Sequence, residues 1–189
     1  PLRHIHWKSW ARTGKPIVKE YEDVFFPRYG LILDTFASAE QADLFEEAIS
    51  VAASFAVSID TRESLLDLMF IHDEAYVFSS GRGEDRVDSI LEVLAGVNSE
   101  PRADFDALQK LVLQYRDELT ASICVFTGWC KQRRDTVERL HRAGMELKVF
   151  SICYSLEEAD QLQQLFPSPV TIHWLRASHV EADLSTNAS

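Results

Sequence analysis

Asp34 is the residue of this sequence that is best placed for chemistry. It follows the apolar run 29–33, which has the length of a buried strand, and Ser38 then begins a long helical pattern. Open α/β sheets bind ligands at the carboxyl ends of their strands. A carboxylate there can ligate a divalent cation or, with a second carboxylate such as Asp73, serve a metal-dependent hydrolase or another enzyme. Asp34 and Ser38 also have possible structural roles. Ser38 can cap the helix, and Asp34 can accept hydrogen bonds from loop amides.

Histidines offer a second kind of metal site. His4 and His6 alternate along a predicted strand, so both side chains project to one face and can reach one ion. A third ligand is missing nearby in the sequence, and ordinary packing on a surface strand is the simpler interpretation. His72, His141 and His173 are each isolated in the sequence.

Thiol chemistry is a third candidate. The cysteines are Cys124, Cys130 and Cys153, and their sparse, odd count without a CxxC pair is typical of a reducing compartment. Cys130 and Cys153 each follow a predicted core strand, and their thiols approach each other if those strands are neighbours. Arg133 and Arg134 beside Cys130 are cations of the kind that activates a thiol. Buried, inert thiols are the simpler interpretation.

An anion site is a fourth candidate. Gly81 and Gly83 precede a predicted helix. Glycines at this position could allow a phosphate to approach the N-terminus of the helix. The segment lacks the complete pattern of a P-loop or a dinucleotide fingerprint, and Glu84 and Asp85 would repel an anion. A plain turn is therefore favoured, with an anion- or nucleotide-binding sensor as the alternative.

Alternating apolar runs and helical periodicities predict the elements that position these residues. Strands are predicted at 29–34, 64–72, 75–78, 123–126, 147–153 and 170–175, and helices at 39–59, 84–95, 104–117, 131–142 and from 155 to before Pro167. A short turn makes the second and third strands antiparallel, with the third at an edge. The remaining alternation predicts a doubly wound, mostly parallel sheet with helices on both faces. This domain spans 28–176, preceded by an extension (1–27) and followed by a polar tail (177–189) that is predicted to be disordered.

Composition narrows the classes of function. The net charge of −11 argues against nucleic-acid binding. Residues 1–20 hold five basic residues and one acidic residue, a balance of +4, which leaves −15 for the rest. A basic extension of this kind can lie across the acidic body or contact an acidic partner. The sequence has no run near the ~20 apolar residues of a membrane span. Because it begins at Pro1, we expect it to be cut from a longer protein with an anchor or another domain upstream.

The order of elements resembles the von Willebrand factor A-like fold, and the first 34 residues resemble one bacterial family in particular. The segments Arg3-His-Ile-His-Trp-Lys8, Ala11-Arg-Thr-Gly14 and Val18-Lys-Glu-Tyr-Glu22 are similar to the signature that precedes the A-like domain in the family called domain of unknown function 58. Leu33-Asp34 matches the leucine-aspartate at the end of that family's first strand. The resemblance covers roughly residues 1–155.

That resemblance implies a setting and a partner. Members of the family are usually bacterial proteins with membrane helices upstream of a cytoplasmic A-like domain. Many are encoded beside MoxR-type AAA+ ATPases and transglutaminase-like proteins. The resemblance therefore implies a cytoplasmic domain of a membrane-anchored protein, with a protein partner such as an AAA+ ATPase.

The resemblance also implies a degenerate metal-ion-dependent adhesion site for Mg²⁺ or Mn²⁺. Metal-binding A domains use a D-x-S-x-S loop, a threonine from a second loop and an aspartate after the fourth strand. Here Asp34 and Ser38 are present, but Phe36 replaces the middle serine. Thr127-Gly-Trp129 stands where the family has Thr-Asp-Gly, so the second aspartate is missing. The second-loop threonine has no clear match, and Ser99 is the candidate for its position.

Aromatic residues at the same sheet edge suggest a protein-binding surface instead. Phe36, Trp129 and Tyr154 all follow predicted strand ends. They form either a partner-binding patch, together with Thr127, or a cap over the core beneath the loops. We therefore predict a non-enzymatic interaction or assembly module that uses the carboxyl edge of its sheet, with the enzyme that uses Asp34 as the alternative.

Overall fold

The apolar runs of the sequence form the strands of one mixed sheet. A computed structural model describes residues 26–59, 64–79, 85–102 and 104–187. Within these ranges the strands are β1 (Arg28–Leu33), β2 (Leu65–Ile71), β3 (Ala75–Ser79), β4 (Ala121–Thr127), β5 (Leu147–Cys153) and β6 (Ile172–Arg176). They lie in the order β3-β2-β1-β4-β5-β6, and every neighbouring pair is parallel except β2 and β3. The predicted fold class, with its antiparallel edge strand, is confirmed.

Six α-helices in the described ranges cover the two faces of this sheet. They are α1 (Ala42–Ser58), which a 3-10 turn at Ala39–Gln41 precedes, α2 (Asp85–Gly96), α3 (Phe105–Gln114), α4 (Lys131–Arg142), α5 (Leu156–Leu165) and α6 (Val180–Asn187). Apolar residues of α1, α2 and α6 pack against one face of the sheet. Those of α3, α4 and α5 pack against the other face. Two separate apolar layers therefore hold the sheet, and their helices fix the loops at its carboxyl edge.

Helix ends follow the signals in the sequence. Ser155 accepts a hydrogen bond from the backbone N–H of Glu158 at 3.2 Å, which is the cap predicted for α5. Gly144 has a φ of +81° after α4, the left-handed conformation that commonly ends a helix. Helix α3 ends at Gln114 rather than near 117, because the chain there leaves the helix for a turn.

The C-terminal segment differs from the prediction of a disordered tail at 177–189, because α6 forms there. Val180 is buried and Leu184 packs against the same apolar layer. Asp183 accepts hydrogen bonds from the backbone N–H and the guanidinium of Arg176, at 2.6–3.0 Å. Val180, Leu184 and the Arg176–Asp183 ion pair attach this helix to the sheet, and two apolar residues are too few to produce a visible periodicity.

Some predictions concern residues outside the described ranges. Residues 1–25 of the predicted extension (1–27), with His4 and His6, lie there, as does the Gly81–Gly83 segment. Among the helices that the structure describes, none has the length and the apolar character needed to cross a bilayer.

Candidate functional site

Asp34 and Thr127 meet at the point where the strand order of the sheet reverses. Asp34 directly follows β1, and Thr127 is the last residue of β4, the neighbouring strand. Chain connections leave β1 and β4 in opposite directions across the sheet, which opens a crevice between the two strand ends. This is the place where open α/β sheets usually hold ligands, and the sequence predicted that Asp34 would lie there.

The carboxylate of Asp34 is fully buried and fully engaged. Its Oδ1 accepts a hydrogen bond from the backbone N–H of Phe36 at 2.9 Å. Its Oδ2 accepts from the backbone N–H of Thr127 at 3.0 Å and from the Thr127 hydroxyl at 2.9 Å. Gly128 then turns the chain with a φ of +84°, a conformation that favours glycine. Both oxygens are therefore held by the two loops that flank the crevice.

Arg133 supplies the charge that balances Asp34. Its Nε donates to Asp34 Oδ2 at 2.7 Å, and its Nη2 donates to the Thr127 hydroxyl at 3.0 Å. Burial opposes the charge of this guanidinium, but attraction to Asp34 and Cys130 raises its pKa above the ordinary value for arginine. The guanidinium also lies 5.2 Å from the centre of the Phe105 ring, a cation–π distance. Arg133 is therefore an internal, permanently charged partner of Asp34.

This arrangement does not fit a divalent cation. A Mg²⁺ or Mn²⁺ site needs several oxygen ligands directed at one point. Beside Asp34, where such an ion would lie, the structure has the Arg133 guanidinium. This cation already bonds to Asp34 Oδ2 and to the Thr127 hydroxyl. The residue predicted as a second ligand, Ser38, lies at the start of the 3-10 turn, where its backbone N–H donates to Gln41 Oε1 at 3.4 Å. The oxygens of Asp34 and Thr127 therefore bind an arginine side chain in the place of a metal ion.

Sequence reasoning considered Arg133 only as a neighbour of Cys130. The Nη1 atom of Arg133 is indeed 3.3 Å from Cys130 Sγ, so that prediction of proximity holds. Asp34, to which Arg133 donates, is 99 positions away in the sequence. An arginine in the first turn of α4 has no local signal that distinguishes it from a solvated one.

Two of the predicted partner-binding aromatics lie in the core. Phe36 is 9% exposed and packs on Phe105 with 4.1 Å between ring centres. Trp129 is 3% exposed, lies edge-on to Trp174 and donates from Nε1 to the backbone oxygen of Phe166 at 2.8 Å. Their rings cap the core beneath the loops, which is the other interpretation that the sequence left open. Neither ring offers a surface to a partner in this conformation.

Tyr154 and Leu156 are the aromatic and aliphatic residues that this edge does expose. These two residues are 49% and 51% exposed. The Tyr154 hydroxyl donates to Asp43 Oδ1 at 3.0 Å, which places the ring over the start of α1, beside the Asp34 loop. The same hydroxyl lies 3.3 Å from the backbone oxygen of Glu40, and Glu40 and Glu157 are both exposed. The carboxyl edge therefore presents a small apolar patch, Tyr154 and Leu156, with acidic residues around it.

The three thiols are free. Burial raises the pKa of Cys124 to about 12 and, with nearby acidic groups, that of Cys153 to about 11. Cys130 is partly exposed at the N-cap of α4. Only Cys130 thus keeps the features of a reactive thiol.

Several solved structures share the architecture of this chain. A von Willebrand factor type A protein from Catenulispora acidiphila aligns with a TM-score of 0.56 at 11% identity, covering 86% of this chain and 42% of that one. The manganese-loaded TRAP protein of Plasmodium vivax aligns with a TM-score of 0.52 at 14% identity, covering 85% and 72%. A mutant of the PilB minor pilin from Streptococcus sanguinis gives 0.51 at 9% identity, covering 93% and 64%.

These alignments show that the chain has a von Willebrand factor A-like fold. At such identities they show the fold alone. The chain spans less than half the length of the first of these proteins. No protein-family model matches the sequence, and no curated protein matches it either.

Proposed function

We propose that this chain is a non-enzymatic module for protein–protein interaction or assembly, which binds through the carboxyl edge of its sheet. The observation that carries the proposal is the pairing of Arg133 with Asp34. At the position where this fold can hold a ligand, the chain has placed an internal salt bridge with 2.7 Å between Nε and Oδ2. The crevice between the ends of β1 and β4 therefore leaves no free reactive group for a ligand among the residues of this salt bridge.

The pairing also argues against the alternative of an enzyme that uses Asp34. A general base or a nucleophile needs a free lone pair within reach of substrate. The Asp34 side chain has no solvent exposure, and its Oδ2 accepts three hydrogen bonds. The second carboxylate of that hypothesis, Asp73, has a side chain that is 92% exposed and is not among the groups bonded to Asp34.

The exposed part of the edge suggests the chemistry of the partner. Tyr154 and Leu156 supply an apolar anchor, and tyrosine is among the residues that contribute most to interfaces. The Tyr154 hydroxyl donates to Asp43 Oδ1 and lies 3.3 Å from the backbone oxygen of Glu40, and the exposed Glu157 follows Leu156 in the chain, so the patch has acidic neighbours. We therefore propose a partner segment with an apolar side chain flanked by lysine or arginine, attracted by the acidic rim.

The likeness of residues 3–34 to the domain of unknown function 58 supports a more specific version of this proposal. In that version the chain is the cytoplasmic domain of a membrane-anchored bacterial protein, and its partner is a MoxR-type AAA+ ATPase. The acidic edge would then contact a basic surface of the ATPase.

The test is a binding titration by biolayer interferometry, with the whole chain immobilised and a purified MoxR-type ATPase from the same genome in solution. The test variant is Tyr154→Ala with Leu156→Ala. The matched control is Leu165→Ala, because Leu165 is 68% exposed but ends α5 rather than beginning it. We expect the test variant to weaken binding by about tenfold or more and the control to leave it unchanged.

The other outcomes separate the parts of the proposal. Binding that Leu165→Ala weakens and Tyr154→Ala with Leu156→Ala does not would place the interface elsewhere. A failure of the ATPase to bind at all would remove it as the partner. Hydrolytic activity of the purified chain that disappears in Asp34→Asn, while circular dichroism shows this variant to be folded, would overturn the non-enzymatic proposal.

A further inference from the structure

A histidine and two carboxylates come together at the same sheet edge, apart from the Asp34 site. His72 directly follows β2 and Asp73 follows it, while Glu100 lies in the loop between α2 and α3. One ligand atom from each of the three residues lies within 4.8 Å of the others. The backbone N–H of Glu100 donates to the Thr35 oxygen at 2.6 Å, and this bond fixes the loop against the end of β1. The fold thus brings together residues that are 27 to 28 positions apart.

The Nδ1 atom of His72 is the feature of this cluster that internal contacts leave unexplained. It is buried and has no hydrogen-bond partner among the described residues. It lies 3.3 Å from Glu100 Oε1, close enough for an ion pair but without the geometry of a hydrogen bond. Two ligands of one tetrahedral zinc ion, each at its usual bond length, are separated by about 3.4 Å. The spacing is therefore compatible with two atoms that share an ion, as well as with a direct ion pair.

The types of ligand indicate the class of cation. An imidazole nitrogen with two carboxylate oxygens suits Zn²⁺ and other first-row divalent transition metals, whereas Mg²⁺ and Ca²⁺ prefer oxygen ligands throughout. The Asp73 side chain is 92% exposed and its Oδ2 lies 3.9 Å from the other ring nitrogen, Nε2, so it must turn to reach an ion at Nδ1, which its exposure allows without disturbing the core. Three protein ligands leave at least one position of a tetrahedral ion for water or another group.

A cleft adjoins the cluster. His72 also lines a cavity of about 520 Å³ between the β2–β3 hairpin and α2, together with Phe70, Tyr76, Phe78 and Val93. The cavity is mostly apolar, and the ring of Phe70 lies 4.8 Å from that of Tyr76. An ion held by His72 would therefore lie at the margin of a cleft that is large enough for a small molecule or a side chain of a partner.

We propose that His72, Asp73 and Glu100 form a binding site for Zn²⁺ or a similar first-row transition metal. The site does not depend on the interaction function proposed above. It also differs in ligands and in cation class from the oxygen-only site expected around Asp34.

The test is isothermal titration of the whole chain with ZnCl₂ in a buffer that does not chelate metals, with Co²⁺ absorption as a second readout. We expect one saturable Zn²⁺ site, and Mg²⁺ in excess should not compete for it. Glu100→Gln and His72→Ala should each weaken binding by about tenfold or more, as loss of a direct ligand costs at least as much as loss of a supporting group. Glu100→Gln removes a partly exposed charge, so it tests the site even if His72→Ala perturbs the fold.

Two control variants address other metal-binding groups of the chain. His4→Ala with His6→Ala removes the histidine pair of the extension, and Cys130→Ser removes the exposed thiol. Both should bind Zn²⁺ as the unaltered chain does. The proposal is overturned if the unaltered chain binds no Zn²⁺, if Glu100→Gln and His72→Ala bind it normally, or if either control abolishes binding.

Discussion

Arg133 Nε lies 2.7 Å from Asp34 Oδ2, and neither side chain is more than 9% exposed. The carboxylate stands at the end of β1, and the guanidinium comes from the first turn of α4. A buried ion pair of this kind is stable only while both charges are present, because either one alone is left without compensation in the interior. The pair therefore determines what the carboxyl edge of the sheet can bind. It also determines how much stability is lost when Asp34 or Arg133 is substituted.

Loss of either charge should destabilise the fold strongly. Arg133→Ala leaves a buried carboxylate, and Asp34→Asn leaves a buried guanidinium. Each should lower the free energy of unfolding by about 3–5 kcal/mol, measured by urea denaturation. Arg139→Ala is the matched control, since Arg139 lies on the same helix but is 61% exposed in its pair with Asp106, and it should cost about 1 kcal/mol or less. Equal losses for Arg133→Ala and Arg139→Ala would show that the buried pair is not special.

Removal of Arg133 should make the edge responsive to metal. In the unaltered chain we expect an excess of Mg²⁺ to leave the melting temperature unchanged. Arg133→Ser frees the oxygens of Asp34 and Thr127, so the same ion should raise the melting temperature of this variant by binding the folded state. Adding Asp34→Asn to Arg133→Ser should remove the response. A rise in the unaltered chain that is lost in Asp34→Asn would contradict the assignment of Arg133 as the resident cation.

Acid should release α6 from the sheet. Hydrogen bonds from Arg176 hold the pKa of Asp183 below its usual value. A carboxyl whose pKa is lower in the folded state contributes stability above its unfolded pKa, near 3.9, and loses it as the pH falls through the folded value. Amide protection of α6, corrected for intrinsic exchange, should therefore fall from pH 5 downward more than that of α1. Asp183→Asn should already show low protection at pH 7, and a matching decline in that variant would assign the effect to another group.

One thiol should react readily in the native protein. Cys124 and Cys153 are buried with raised pKa values, so few of their thiols are ionised at neutral pH. Cys130 is partly exposed beside Arg133. Titration with a disulfide reagent at pH 8 should modify one thiol per chain quickly and all three only in denaturant. Cys130→Ser should abolish the fast phase, and a fast phase that survives would show that β4 or β5 opens.

The sequence predicted what depends on neighbours in the chain. Apolar runs marked every strand in the described ranges, and Gly144 marked the end of α4. The position of Asp34 at a strand end followed from the same local pattern. Such signals work because a strand or a helix cap is determined mainly by residues a few positions apart.

Contacts between distant residues were out of reach of that reasoning. His72 looked isolated because Glu100 approaches it only through the loop that rests on Thr35. Phe36 and Trp129 do lie at the carboxyl edge of the sheet, as predicted. Whether their rings face solvent depends on Phe105 and Phe166, which are far away in sequence. Tertiary packing decides these cases, and a single sequence does not record it.

The distance in sequence between Asp34 and Arg133 has a consequence for the order of folding. Their 99-residue separation means that the bond can form only after β1, β4 and α4 have assembled. We expect these elements to be incompletely packed in the folding transition state, so that both charges are still hydrated there and the pair changes the folding barrier little. Arg133→Ala should therefore speed unfolding far more than it slows refolding in a chevron analysis, so that the pair governs how long the assembled domain persists rather than how fast it forms.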